Sequence, residues 1–224
     1  MKPHDTSSGL DTTALPTGPF ARFILTTVTT TLTEPLANHS IRTYLFARLL
    51  AGHQGAVAGQ DYDDQLLFAA CALHDIGLSR EGDGPSRFEV DGADLAARLL
   101  TDQGLAAAQV DAVWDAIALH TSPHLAERRS LLCQLTRGGV GIDFGRGAEI
   151  TSRDQGAAVH SAYPRLFLET ALVDAIVEQA RQAPGKAPAY SSADIFMLER
   201  SIAPYQTRLE QGAATSPWNA LDQR

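Results

Sequence analysis

An adjacent histidine and aspartate, His74 and Asp75, stand at the last turn of the apolar run LLFAACALHDIG. Burying an imidazole and an ionised carboxylate there without partners would be costly. A divalent cation supplies the missing partner. Neighbouring helix positions point about 100° apart, so ligands at i and i+1 reach one ion only where the helix ends or the side chains bend inward. The following Ile76 and Gly77 supply that end. On the dipeptide alone, in a chain with seven histidines, a capping pair bonded to neighbouring loops is the simpler explanation.

The wider pattern reverses that preference. NHSIR, LHDIG and GIDFG follow one another with 35 residues from His39 to His74 and 69 from His74 to Asp143. In order and helical placement they resemble the His, His-Asp and Asp ligand series of the HD superfamily, over roughly residues 15 to 181. The resemblance implies an all-α HD-domain helical bundle whose metal is held by His39, His74, Asp75 and Asp143. NHSIRTY, HDIG, RFEVDGADLAARLL and AIALH further resemble the cyanamide hydratase branch, in which the metal is zinc and water adds across a nitrile to give a urea. The segment RGGVGIDFGRG departs from the family, with five glycines where its helix would be firmer. That departure bears on how Asp143 is held.

Two imidazoles and two carboxylates suit one divalent ion of borderline softness, zinc first and iron, manganese, cobalt or nickel after it. Water on such an ion can be acidified to hydroxide near neutral pH. The implied function is a metal-dependent hydratase or hydrolase, a lyase in the cyanamide case, acting on a small nitrile-like or amide-like molecule. The alternatives are a phosphohydrolase of nucleotides or other phosphomonoesters, which needs Arg42, Arg80 or Arg87 to converge on the metal, and a non-catalytic metal-binding module.

Proton transfer beside Asp75 falls to Glu89 and His120. Glu89 opens the helix after the HD loop, where a first-turn glutamate is also favoured by the helix dipole. His120 extends the stripe of Val113 and Ile117 inward by three residues, where a core histidine bonded to a carbonyl is the bland alternative. Arg42 and Phe88 are the candidate substrate contacts. Arg42 lies one turn after His39 on the same face, and a structural salt bridge to Asp75 or Glu89 is the simpler use for it. His124 belongs to a rim or surface, because Pro123 breaks the register from His120. His160, His4 and His53 carry no signal of their own.

Composition narrows the partners. A formal charge of −8 on 224 residues argues against nucleic acid and anionic membrane, leaving a small-molecule substrate held by a few local arginines. A homo-oligomer is compatible with this composition. Cys71 and Cys133 are far apart, form no CxxC pair, and suit buried positions in a reducing, cytoplasmic compartment. No apolar run follows the N-terminal lysine, so no secretory signal is expected.

Helical periodicity must position these residues. It is expected from Phe20 to Thr33 despite the strand-like TTVTTTLT, from Leu36 after Pro35 into the fifties, and from an Asp63 or Asp64 cap to Gly77. Further helices are expected over FEVDGADLAARLL, VDAVWDAIALH, LFLETALVDAIVEQA and beyond a Ser191 or Ser192 cap. The organisation predicted is a flexible N-terminal tail over 1–16, one HD domain over 17–204, and a C-terminal tail over 205–224.

Overall fold

The structure, a computed structural model, describes residues 11–201 and 207–219. Most of the expected N-terminal tail therefore lies outside the described residues. Among the described residues the chain is helical throughout, and its one β feature is an isolated bridge between Ala58 and Tyr62.

Helix α1, Pro19–Thr31, starts with proline in its first turn, where the missing N–H costs nothing. Its β-branched run stays helical because the hydroxyls of Thr27, Thr29, Thr30 and Thr31 donate to carbonyls one turn earlier, while Ile24 and Val28 are buried. Helix α2, Glu34–His53, likewise takes Pro35 into its first turn. Helix α3, Asp64–Leu73, is capped by the Asp63 carboxylate, which accepts from the N–H groups of Gln65 and Leu66 at 2.8 and 3.2 Å. Every residue from Leu67 to Leu73 is buried, so α3 is the central helix its apolar composition demands.

Around it stand α4, Phe88–Asp102, α5, Ala107–Leu119, the short α6, Ala126–Arg129, α7, Leu131–Asp143, α8, Arg153–Ala162, and α9, Leu168–Gln182. Ser191 caps α10, Ser192–Arg200, by accepting from the Asp194 N–H at 3.1 Å. No helix among the described residues is long and apolar enough to cross a membrane.

The most extensive helix pair is α2 on α7. The glycine-rich stretch of α7 is not the weak element its composition suggests. A Cβ on Gly139 would collide with the Thr43 carbonyl oxygen and come within 3.1 Å of the Ala47 Cβ, so this glycine lets the two backbones approach. The close approach brings Asp143, at the end of α7, beside His39 in α2.

Residues 207–219 are not the tail expected of them. Thr207 caps α11, Arg208–Thr215, and Trp218 is buried. Its ring stacks on His160 at 5.2 Å between centroids, and its indole N–H donates to the Ile142 carbonyl at 3.3 Å. Gly156 leaves the space the indole occupies.

Two glycine substitutions separate these effects. Gly139→Ala should lower stability by about 1–3 kcal/mol through overpacking. Gly52→Ala, inside α2 with nothing within 4 Å of the added methyl, should raise it by about 0.5–1 kcal/mol. Urea melts of the two variants, with unchanged m-values, are the measurement; a stabilised Gly139→Ala would mean that the helices can part freely.

Candidate metal centre

The chain ends α3 at Leu73, one residue before His74, and this solves the geometry of the adjacent pair. His74 is the C-cap residue, and Asp75 follows at φ −102° and ψ 10°, leading into a single 3₁₀ turn, Ile76–Leu78. The turn redirects Asp75 so that both side chains point the same way. His120 is the C-cap of α5 in the same manner. Each of these imidazoles donates Nδ1–H to a carbonyl of the last helical turn: His74 to Cys71 at 2.7 Å, and His120 to Ile117 at 2.6 Å, where the His120 backbone N–H also donates at 3.3 Å. His39, in the middle of α2, donates Nδ1–H to Asp143 Oδ2 at 2.6 Å. In the neutral form of each ring Nε2 is then the lone-pair nitrogen.

Those nitrogens converge on Asp75. His39 Nε2 and His74 Nε2 are 3.2 Å apart, and Asp75 Oδ2 lies 3.2 Å from His74 Nε2 and 3.7 Å from His39 Nε2. All three residues are buried, and Asp75 Oδ2 has no hydrogen-bond partner among the described residues. Three acceptors facing one another without a donor repel. A proton relieves one pair of them, whereas a divalent cation relieves all three, and metal bonds of about 2.0–2.2 Å place adjacent donor atoms at about these separations. The site fits a divalent metal held by His39, His74 and Asp75.

Burial would raise the Asp75 carboxyl, but the imidazoles of His74, His39 and His120 outweigh it and hold the group well below the ordinary carboxylate range. Burial lowers the pKa of His39 against the opposing pull of Asp143. For His74 the neighbouring Asp75 wins over burial and raises it. His120 is pushed down to about 4 by burial and by His74, so its ring is neutral.

A family model for the HD domain matches residues 36–159, more than half of the chain. The chain belongs to the HD domain family. No curated protein matches it. HD domains are in general metal-dependent hydrolases, which agrees with a His-Asp cluster able to hold a divalent ion.

Within this HD domain the residues singled out from the sequence fall into two groups. His39, His74, Asp75, His120 and Phe88 line one cavity of about 370 Å³. Asp143 does not stand with the cluster. It sits on the Nδ1 side of His39, and its carboxylate is taken by that imidazole and by a two-pronged contact from Arg42, with Nε to Oδ1 and Nη2 to Oδ2 both at 2.8 Å. Burial would raise the Asp143 carboxyl, but Arg42 first of all holds it far below its usual range. Arg165 also donates to the Asp143 carbonyl at 2.8 Å. As placed, Asp143 orients His39 and fixes its tautomer instead of offering an oxygen to the metal.

Arg42, expected at the substrate, is fully buried; its remaining donors reach the carbonyls of Tyr163 and Pro164. The salt bridge anticipated for it exists, with Asp143 in place of Asp75 or Glu89. Glu89 does not line the cavity either. Arg87 grips it at 2.6 and 3.0 Å and the Thr121 hydroxyl donates to it at 2.7 Å, because burial at the start of α4 demands partners for both oxygens. Burial would raise its pKa, but these hydrogen bonds and the charge of Arg87 lower it. Glu89 meets the cavity only through Thr121, which does line it.

The sequence also passed over Arg137 and Arg146, which lie in the cavity wall with Leu209 and Gly212 of α11. His124 is exposed in an outer groove, in keeping with a rim position.

His74→Ala and Asp75→Ala should each remove most bound divalent metal by elemental analysis of the purified protein, while His53→Ala retains it. Asp143→Asn should weaken metal binding about 10–100-fold without abolishing it, the usual effect of losing a group that orients a ligand. Chelator competition reads the difference, and loss of metal as complete as in His74→Ala would return Asp143 to the ligand set.

Proposed function

We propose that this HD domain is a metal-dependent hydratase or hydrolase whose reacting end takes a small, uncharged, electrophilic carbon, with cyanamide or a related nitrile as the model substrate. The observation that carries this reading is the wall beside the cluster, where Phe88, Val140, Phe144, Leu172 and Ile176 surround the converging donors. A compact apolar surface with a few oriented polar groups holds a small neutral molecule and excludes loose water.

The ion, when bound, supplies Lewis-acid activation of water or of the substrate nitrogen. The chain's own residues do the rest. His39 and His74 present lone pairs only, because their Nδ1 atoms are committed to Asp143 and Cys71. Asp75 supplies the negative charge. His120 is neutral, with Nδ1 fixed on Ile117 and Nε2 3.6 Å from Asp75 Oδ1, so it can accept a proton at Nε2 and return it. Hydration of a nitrile needs this shuttle: the water oxygen bonds to carbon, both its hydrogens end on nitrogen, and nothing leaves. Glu89 and Arg87 hold Thr121 in the wall beside His120.

Phosphomonoester hydrolysis is the competing activity, and the arginines named for it from the sequence do not serve it. Arg42 is spent on Asp143, Arg87 on Glu89 and Thr121, and Arg80 is exposed away from the cavity. By the same resemblance the proposed ion is zinc, and the two separated cysteines suit a reducing, cytoplasmic compartment.

On one metal-replete sample, kcat/KM for cyanamide should exceed that for a nucleoside monophosphate, and the opposite order would move the chain to the phosphohydrolase class. His120→Gln should lower kcat about 10²-fold or more with metal content intact. Unchanged turnover would remove the imidazole from the proton path.

A further inference from the structure

The cavity beside the metal cluster does not end at the cluster. It adjoins an outer groove of about 510 Å³, and the two share Pro123, Arg137 and Arg146 in their walls. Two guanidinium groups thus stand at the junction between the reacting end and the surface.

Arg137 is buried, at 8% exposure, and only part of it is occupied. Its Nε donates to Glu127 at 2.7 Å and its Nη1 to the His120 carbonyl at 3.0 Å, which fixes the plane of the group. Among the described residues Nη2 has no hydrogen-bond partner, it is not sealed away from solvent, and Arg137 lines both the cavity and the groove. Arg146 is exposed, and its guanidinium makes no hydrogen bond to the described residues. It lies along α7 over Gly141, where an added Cβ would come within 2.9 Å of its Nε and 3.1 Å of its Nη2. Partial burial and the charge of Arg137 both lower the Arg146 pKa, with Glu127 opposing them. Two cations therefore face one shared anion, Glu127, and leave an excess positive charge in a chain that is otherwise acidic.

We infer that Arg137 Nη2 and Arg146 form an oxyanion subsite, taking a carboxylate or phosphate group carried by the substrate at the end remote from its reacting carbon. A planar guanidinium already fixed by two bonds, beside a second free to swing onto the ligand, suits such a group. The inference rests on the reading that the His39, His74 and Asp75 cluster is the reacting end of the cavity. It adds that the natural substrate is an anion longer than cyanamide, spanning from the cluster to the junction.

The test is isothermal titration of the full-length protein with inorganic phosphate and, separately, with acetate at fixed ionic strength, in wild type, Arg146→Gln, Arg146→Lys and His74→Ala. Wild type should bind at least one of the two anions, and the preferred one identifies the group. Arg146→Gln should weaken that binding about ten- to hundredfold, the worth of one or two hydrogen bonds to a charged group, and Arg146→Lys should recover part of it. His74→Ala should keep it, because the subsite does not need the metal. Because Arg146 is exposed, its variants should melt as wild type does, and this is checked first. Loss of anion binding in His74→Ala with retention in Arg146→Gln would place the anion on the metal and overturn the subsite. Absence of binding of either anion to wild type would overturn it as well. Failure of cyanamide turnover sinks the proposed reaction without touching the titration, so the two ideas fail separately.

Discussion

The structure depends on one buried chain of contacts, from Arg42 through Asp143 to His39. A carboxylate removed from water must find compensation for lost hydration, and a single imidazole would not supply it. Arg42 does so with two parallel bonds, and Arg165 adds a third donor at the Asp143 backbone. With its charge compensated, Asp143 can accept Nδ1–H of His39 and leave Nε2 as the only nitrogen facing Asp75. Removing one member strands a charge, which typically costs about 3–5 kcal/mol. The same contact that stabilises the bundle therefore sets the protonation pattern of the metal site.

That chain exists only because α2 and α7 come close, and they come close because α7 has no side chain at Gly139. Glycine in a helix interior costs about 0.5–1 kcal/mol relative to alanine, and here the cost is offset by the contact it permits. The other donors are fixed by a different and more local device. His74 and His120 each finish a helix and cap it with their own Nδ1–H, so the end of a helix and the tautomer of a ligand are decided together. Three rings reach the same state, Nε2 free and pointing inward, by one long-range contact and two short-range ones.

This division explains what the sequence disclosed. Most of the helices, and caps placed to within one residue at Asp63 and Ser191, were legible because each depends on periodicity or on side chains within a few residues, whereas α3 stops at Leu73 and not at the expected Gly77, and the glycines of α7 hid its helical period. The family was legible for the same reason, being written in short motifs. Which face of His39 would meet Asp143 was not, since that depends on the rotation of α7 about its axis, 104 residues further along. Arg42 and Glu89 were misplaced for a related reason: a charged residue in a site motif looks the same whether it faces the substrate or a buried counter-ion. The segment after Pro204 was read as a tail because its polar composition hid how much a single tryptophan can anchor. Trp218 does so by filling the space over Gly156 and stacking on His160.

The position of Asp143 also changes the electrostatics of the reacting end. With two carboxylates on the ion, a divalent centre would be close to neutral, and an acidic chain would then discourage any anion. Asp143 instead shares its charge with Arg42, so a divalent ion held by His39, His74 and Asp75 would be opposed directly by one carboxylate only. The formal −8 of the chain acts at longer range and is screened over about 10 Å in ordinary salt. Locally the cavity wall carries Arg137 and Arg146 against Glu127. Such a junction would attract an anionic group locally although the protein as a whole is negatively charged. The apolar wall at the cluster and the cationic junction beyond it then ask for one molecule with two unlike ends.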